Sequence, residues 1–144
     1  YLLIESTGIS EPLPVAETFT FRDENEISLS DIAHLDTMVT VVDAFNFLRD
    51  YCSDDFLATR GETMGDDDER TVVDLLIEQI EFCDVLIVNK ADMVTEQDLL
   101  QLIAMLKQLN PRAEIIASKF GQVPLNKILN TGKFDFDALM DSFA

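Results

Sequence analysis

The sequence predicts an α/β domain built on a parallel sheet, and two observations predict it. Short apolar runs rich in branched residues recur at 2–4, 38–42, 85–88 and 114–117, each nearly continuous rather than alternating. That is the pattern of strands covered on both faces. Helical stretches lie between them, and strand followed by helix, repeated, is the order of a doubly wound domain with right-handed crossovers.

The elements follow in chain order. The first run, Leu2 to Ile4, ends abruptly in Glu5 and turns on Thr7 and Gly8. The second ends at Asp43, expected to cap a helix starting near Ala44, although a carboxylate at a strand end could also reach a ligand site. Residues 53–68 are polar, acidic and carry two glycines, so a mobile loop or insertion is expected there. A helix over about 69–82 places Val72, Val73, Leu76 and Ile80 on one face after an acidic first turn that complements the helix dipole. The third run leads to Asn89, and Thr95 then reads as the cap of an amphipathic helix that Asn110 and Pro111 stop. After the run at 114–117 the tail reads as a short helix, a turn at Gly132 and a last helix from about Asp135.

Composition narrows the function. The 144 residues are 47% hydrophobic, enough for one domain or a large piece of one with a real core. Ten basic against 28 acidic residues give a formal charge of −18, which repels nucleic acid and anionic lipid. Neither is expected as a partner. Cys52 and Cys83 are far apart and form no C-x-x-C pair, which excludes a disulfide scaffold and suits a reducing cytoplasm. No stretch has the length of a membrane span, and the start lacks the layout of a signal peptide.

The residues that carry chemistry fall at strand ends, where α/β sheets bind ligands. In "DVLIVNKAD" an apolar strand delivers Asn89, Lys90 and Asp92, the N-K-x-D pattern that reads guanine. The Asp92 carboxylate suits two hydrogen bonds from guanine N1–H and the exocyclic amine, whereas adenine presents an unprotonated N1. The mismatch is worth roughly 1–3 kcal/mol per lost bond to a charged group. Asn89 is expected to brace neighbouring loops and approach the purine O6/N7 edge, and the Lys90 stem to lie along the base. "IESTG" has the layout of a magnesium and γ-phosphate loop: Glu5 would hold a water of the Mg²⁺ shell, and Gly8 would let a backbone N–H approach the phosphate. A third loop, "ASKFGQVPL", offers Ser118, Lys119 and Gly121 as a small-residue turn toward the base. The plainer readings are a strand-to-turn junction at Glu5 and a helix cap at Asp92. His34 is expected at the surface, the acidic run Asp66 to Glu69 as a solvated helix approach and Cys83 as a buried thiol.

"ESTGISEPLPVAETF", "VTVVDAFNF", "IEQIEFCDVLIVNKAD" and "SKFGQVPLNKILNTGKFDFD" together resemble the CobW/cobalamin-synthesis-protein family of metal-handling GTPases. The resemblance runs along nearly the whole chain. It implies a P-loop GTPase-like domain of the SIMIBI class, with Glu5 and Gly8 in the magnesium and γ-phosphate loop, Asn89, Lys90 and Asp92 reading guanine, and Ser118 and Lys119 in the second base loop. Gln79 matches a family position whose role the sequence does not explain. The implied cofactors are GTP or GDP with Mg²⁺, and the implied cargo is a transition metal such as zinc or cobalt. The implied partner is a client metalloprotein or cofactor-synthesis enzyme.

Two departures qualify the likeness. These residues contain neither a G-x-x-x-x-G-K-[S/T] phosphate loop nor a C-x-C-C metal motif. The chain is therefore expected to represent, over 1–144, the later portion of such a GTPase domain, to bind GTP poorly alone and to hydrolyse it at no useful rate. By the family's sheet order the absent strand would lie between the Leu2 and Met38 strands, leaving edges open to self-association. The competing expectations are a non-catalytic interaction module pairing through those edges, and direct metal binding by the acidic loop.

Overall fold

The computed structural model describes residues 1–6, 8, 10–51 and 72–144. Three parallel strands, β1 (Val39–Asp43), β2 (Val85–Asn89) and β3 (Glu114–Ala117), form one sheet in the order β1-β2-β3. The helices among the described residues are α1 (Pro12–Thr20), α2 (Ala44–Tyr51), α3 (Val72–Phe82), α4 (Glu96–Leu109) and α5 (Phe136–Asp141). This is the predicted α/β architecture.

β2 is the centre of the sheet, and Val85, Leu86, Ile87 and Val88 are all buried. That accounts for its unbroken apolar run, because a central parallel strand is covered on both faces. The register sets Asp43 beside Asn89 and Val88 beside Ala117, so the ends of all three strands meet along one edge. Leu86, Val88, Val42, Phe47, Ile80, Leu102 and Leu106 belong to the main core cluster, and each fully buried leucine contributes about 2 kcal/mol.

Helix boundaries follow the local chemistry. Thr95 caps α4 by accepting from Asp98 N at 3.1 Å, and Asp135 caps α5 by accepting from Ala138 N at 3.0 Å. The predicted short helix of the tail is a single 3₁₀ turn, Leu125–Lys127, and Gly132 takes the left-handed φ of 60° expected of a turn. α1, with Pro at its start, was not expected; its signal in the sequence is Pro12, since proline fits the first helical turn, where the backbone N–H has no partner.

The expected strand at 2–4 is a correction. Residues 1–6 form no strand, and Leu3 is 86% exposed. A strand exists only through its ladder, and no described strand pairs with this run. The hydroxyl of Tyr1 is nevertheless held by Asp36 and Asn130. Among the described residues β1 is therefore an edge strand, with Val41 on its open face 62% exposed. The predicted acidic loop at 53–68, with Cys52 and the run Asp66 to Glu69, lies outside the described residues. His34 is exposed and Cys83 buried, as expected.

Candidate functional site: the C-terminal edge of the sheet

Three strands deliver polar residues to one edge, and hydrogen bonds knit them together. Asn89, the last residue of β2, accepts through Oδ1 from Ser118 Oγ and from Gly121 N, both at 3.0 Å. The backbone doubles the link, with Ser118 N donating to Val88 O at 2.8 Å and Ala91 N to Ser118 O at 3.0 Å. The bracing role expected of Asn89 is thus seen in its carboxamide oxygen.

The loop it braces is a tight turn. Gln122 N donates to Lys119 O at 3.0 Å across Phe120 and Gly121, whose φ values are 52° and 66°. Two successive left-handed residues define a type I′ turn, which glycine accepts readily and phenylalanine does not. Lys119 and Phe120 are exposed at the turn, while Ser118 is buried beneath it.

Lys90 follows in a left-handed conformation, φ 59°, and its ammonium is 2.6 Å from Asp43 Oδ2. Asp43 performs the expected cap as well, its Oδ1 accepting from Phe45 N at 2.9 Å and Asn46 N at 3.1 Å. Desolvation pushes the Asp43 carboxyl up, but the bonds from Lys90 and Asn46 outweigh it and hold it below the ordinary carboxylate value. Sequence reasoning found the cap and missed the ion pair, whose members are 47 residues apart.

Asp92 stands in the 3₁₀ turn Ala91–Met93, exposed and without a side-chain partner among the described residues. Its two oxygens are available to a ligand. Glu5 and Gly8 are exposed in the segment before α1, and no hydrogen bond joins them to the base-side loops among the described residues. A Cβ placed on Gly8 would meet nothing within 4 Å, so no contact inside the chain requires glycine there.

Gln79 now has a position. On α3, its Nε2 donates to Ser10 O at 2.9 Å, fixing the chain two residues beyond Gly8, and its own carbonyl accepts from Thr40 Oγ1 at 2.7 Å. One residue thus ties the Glu5 segment to the helix that leads into β2. Among the described residues, no group of three or more His, Cys, Asp or Glu side chains stands together as a metal site.

Comparison with known proteins shows the family. The family profile described as "CobW/HypB/UreG, nucleotide-binding domain" matches residues 1–117. The chain belongs to this family. Its relatives include three proteins named zinc-regulated GTPase metalloprotein activator 1. That of Dictyostelium discoideum is 49% identical over 137 residues, covering 94% of this chain and 29% of that protein. The Schizosaccharomyces pombe protein is 31% identical over 122 residues, 85% of this chain and 24% of its own length. The Saccharomyces cerevisiae protein is 26% identical over 146 residues, 98% of this chain and 32% of its own length. The chain thus spans about a third or less of these CobW-family relatives. No solved structure matches it. No helix among the described residues is long and apolar enough to cross a membrane.

Proposed function

We propose that this chain carries the base-reading and magnesium-side loops of a GTP-dependent metallochaperone, one that couples GTP binding and hydrolysis to delivery of a transition metal to a client metalloprotein. Zinc is the favoured cargo, because the matched relatives are named as zinc-regulated; cobalt is the alternative. The observation that carries the reading is the N-K-x-D sequence at the sheet edge, with Asn89 bonded to the Ser118 loop and Asp92 left open.

In this reading Asp92 accepts from guanine N1–H and the exocyclic amine, Asn89 and Ser118 hold the two base loops together, and Lys119 flanks them. Asn89 Oδ1 is already engaged, so any contact with the purine O6/N7 edge falls to its Nδ2. Glu5, an exposed carboxylate without a partner among the described residues, has the donor chemistry for a water of a magnesium shell. Gly8 gives a backbone N–H open access to the γ-phosphate. Magnesium, when bound, neutralises charge developing on the phosphoryl oxygens. The residues given contain no phosphate-loop sequence, so weak nucleotide binding and no useful hydrolysis are expected of residues 1–144 alone. A cytoplasmic setting is part of this reading, supported by two distant cysteines that form no C-x-x-C pair.

A second reading has its own observation. Val39 and Val41 are exposed on the open β1 edge, close in composition to the exposed Leu2, Leu3 and Ile4, and such edges invite strand pairing with another chain. Self-association of a non-catalytic module is the function that edge would serve.

Fluorescent GDP and ADP, titrated with Mg²⁺ into residues 1–144 and into the gene's full-length product, separate the two. The GTPase reading expects guanine-selective binding by the full-length protein, and Asp92→Asn lowering that selectivity about 10-fold or more. Binding without base preference, or a variant with unchanged selectivity, contradicts it. Concentration-dependent assembly of a protein that binds no nucleotide favours the second reading.

A further inference from the structure

The lysine of the N-K-x-D sequence does not extend freely into solvent. Its ammonium is 2.6 Å from Asp43 Oδ2, across the strand pair in which Asp43 lies beside Asn89. The Asp43 carboxylate is itself fixed without Lys90, by Phe45 N, Asn46 N and the Asn46 amide, the last at 2.9 Å. A rigid anion at the head of α2 therefore holds a flexible cation at the end of β2. A lysine stem has four rotatable carbons and loses much conformational freedom when a ligand must order it. An anchored ammonium removes part of that loss before the ligand arrives.

We propose that Asp43 is a positioning residue of the base site: it tethers the Lys90 ammonium so that the methylene stem is already set as the apolar surface against which a purine lies. The inference rests on the base-site reading above. It assigns Asp43 an effect on affinity and none on base choice, because a methylene stem meets the face of any purine while Asp92 reads the edge. It also separates two jobs in one carboxylate, since Oδ1 serves α2 and Oδ2 serves Lys90 and Asn46.

The test is a double-mutant cycle on the full-length product, read as fluorescent-GDP and fluorescent-ADP affinity. Asp43→Asn keeps an acceptor for the α2 backbone and removes the charge that holds Lys90; Asp43→Ser, which keeps only a capping oxygen, serves if the first variant folds poorly. The pair is partly exposed, so the expected loss of GDP affinity is about threefold to fivefold. The GDP-to-ADP ratio should not change. In a Lys90→Met background, where no ammonium remains to be tethered, the same substitution should leave affinity unchanged. Equal losses in both backgrounds, or a change in base preference, overturn the proposal while leaving the base site intact. A parent protein that shows no preference for GDP over ADP overturns both.

Discussion

Asn110 is the residue whose removal should cost the fold most per atom. It ends α4, and its buried carboxamide faces the end of α3. Nδ2 donates to Ile80 O at 2.8 Å, Cys83 O at 2.9 Å and Glu81 O at 3.1 Å. Oδ1 accepts from Arg112 N at 3.1 Å and Ala113 N at 3.0 Å. The last carbonyls of a helix have no partner within it, so this side chain supplies what α3 lacks just before β2 begins. Two amide hydrogens and two accepted bonds, at about 1 kcal/mol net each, put Asn110→Ala at about 4 kcal/mol. Against a total stability of about 5–15 kcal/mol that is a large fraction. Asn110→Asp is nearly isosteric but turns a carboxylate toward carbonyl oxygens, so it should be at least as damaging at neutral pH and recover on acidification. Urea titration followed by far-UV circular dichroism reads both variants. A loss below about 1 kcal/mol for the alanine variant, or an aspartate variant as stable as the parent, would refute the reasoning.

Three further outcomes follow from single groups. Burial pushes the Cys83 thiol up to about 11 from an ordinary 9.0, so in a Cys52→Ser background its alkylation by iodoacetamide at pH 8 should run about 100-fold slower in the native protein than in urea. A native rate within tenfold of the unfolded one counts against that burial. Desolvation raises Asp84 above its ordinary 3.8 despite Met38 N at 2.8 Å and Arg112 at 3.3 Å. The folded state thus favours the neutral acid, and stability is lost as pH rises from 3.8 through the raised folded value. Asp84→Asn should therefore gain relative to the parent over that rise, and parallel stability curves would exclude the effect. Gln79→Ala removes the bond to Ser10 but leaves the Gln79 carbonyl with Thr40, so on the proposed function magnesium-dependent hydrolysis by the full-length protein should fall about fivefold with GDP affinity little changed. Equal loss of both would place Gln79 in general stability instead.

How much of this was legible depended on whether the cause was local. The runs at 38–42, 85–88 and 114–117 became β1, β2 and β3, shifted by at most a residue, because a buried parallel strand writes its environment into consecutive side chains. Thr95 was readable as a cap because a capping residue stands next to the helix it starts, and the last helix was readable from about Asp135. The run at 2–4 has equal apolar character and is no strand, since composition records a preference for burial and says nothing of a ladder partner. Gln79 and Asn110 act 69 and 30 residues away from themselves, and nothing in their neighbourhoods marks the contact. Asp43 shows both limits at once: its cap is a short-range pattern, while its hold on Lys90 needed the sheet.

The two sides of the edge differ in how firmly they are held, and on the proposed function that difference matters. On the base side, Asn89, Ser118 and Gly121 are joined by side-chain and backbone bonds, and Lys90 is bonded to Asp43. These groups need little reordering to meet a purine, so most of the interaction of Asp92 with guanine is available as selectivity. Glu5, Ser6 and Gly8 are exposed, and side chains tie the segment at Tyr1, through Asp36 and Asn130, and at Ser10, through Gln79. Side-chain ties at Tyr1 and Ser10 leave Glu5 itself without a hydrogen-bond partner among the described residues, whereas on the base side Asn89, Ser118 and Gly121 are themselves bonded. Base reading would then be constant through a nucleotide cycle, and the phosphate state would be registered by the Glu5 segment and passed through Gln79 to α3 and β2.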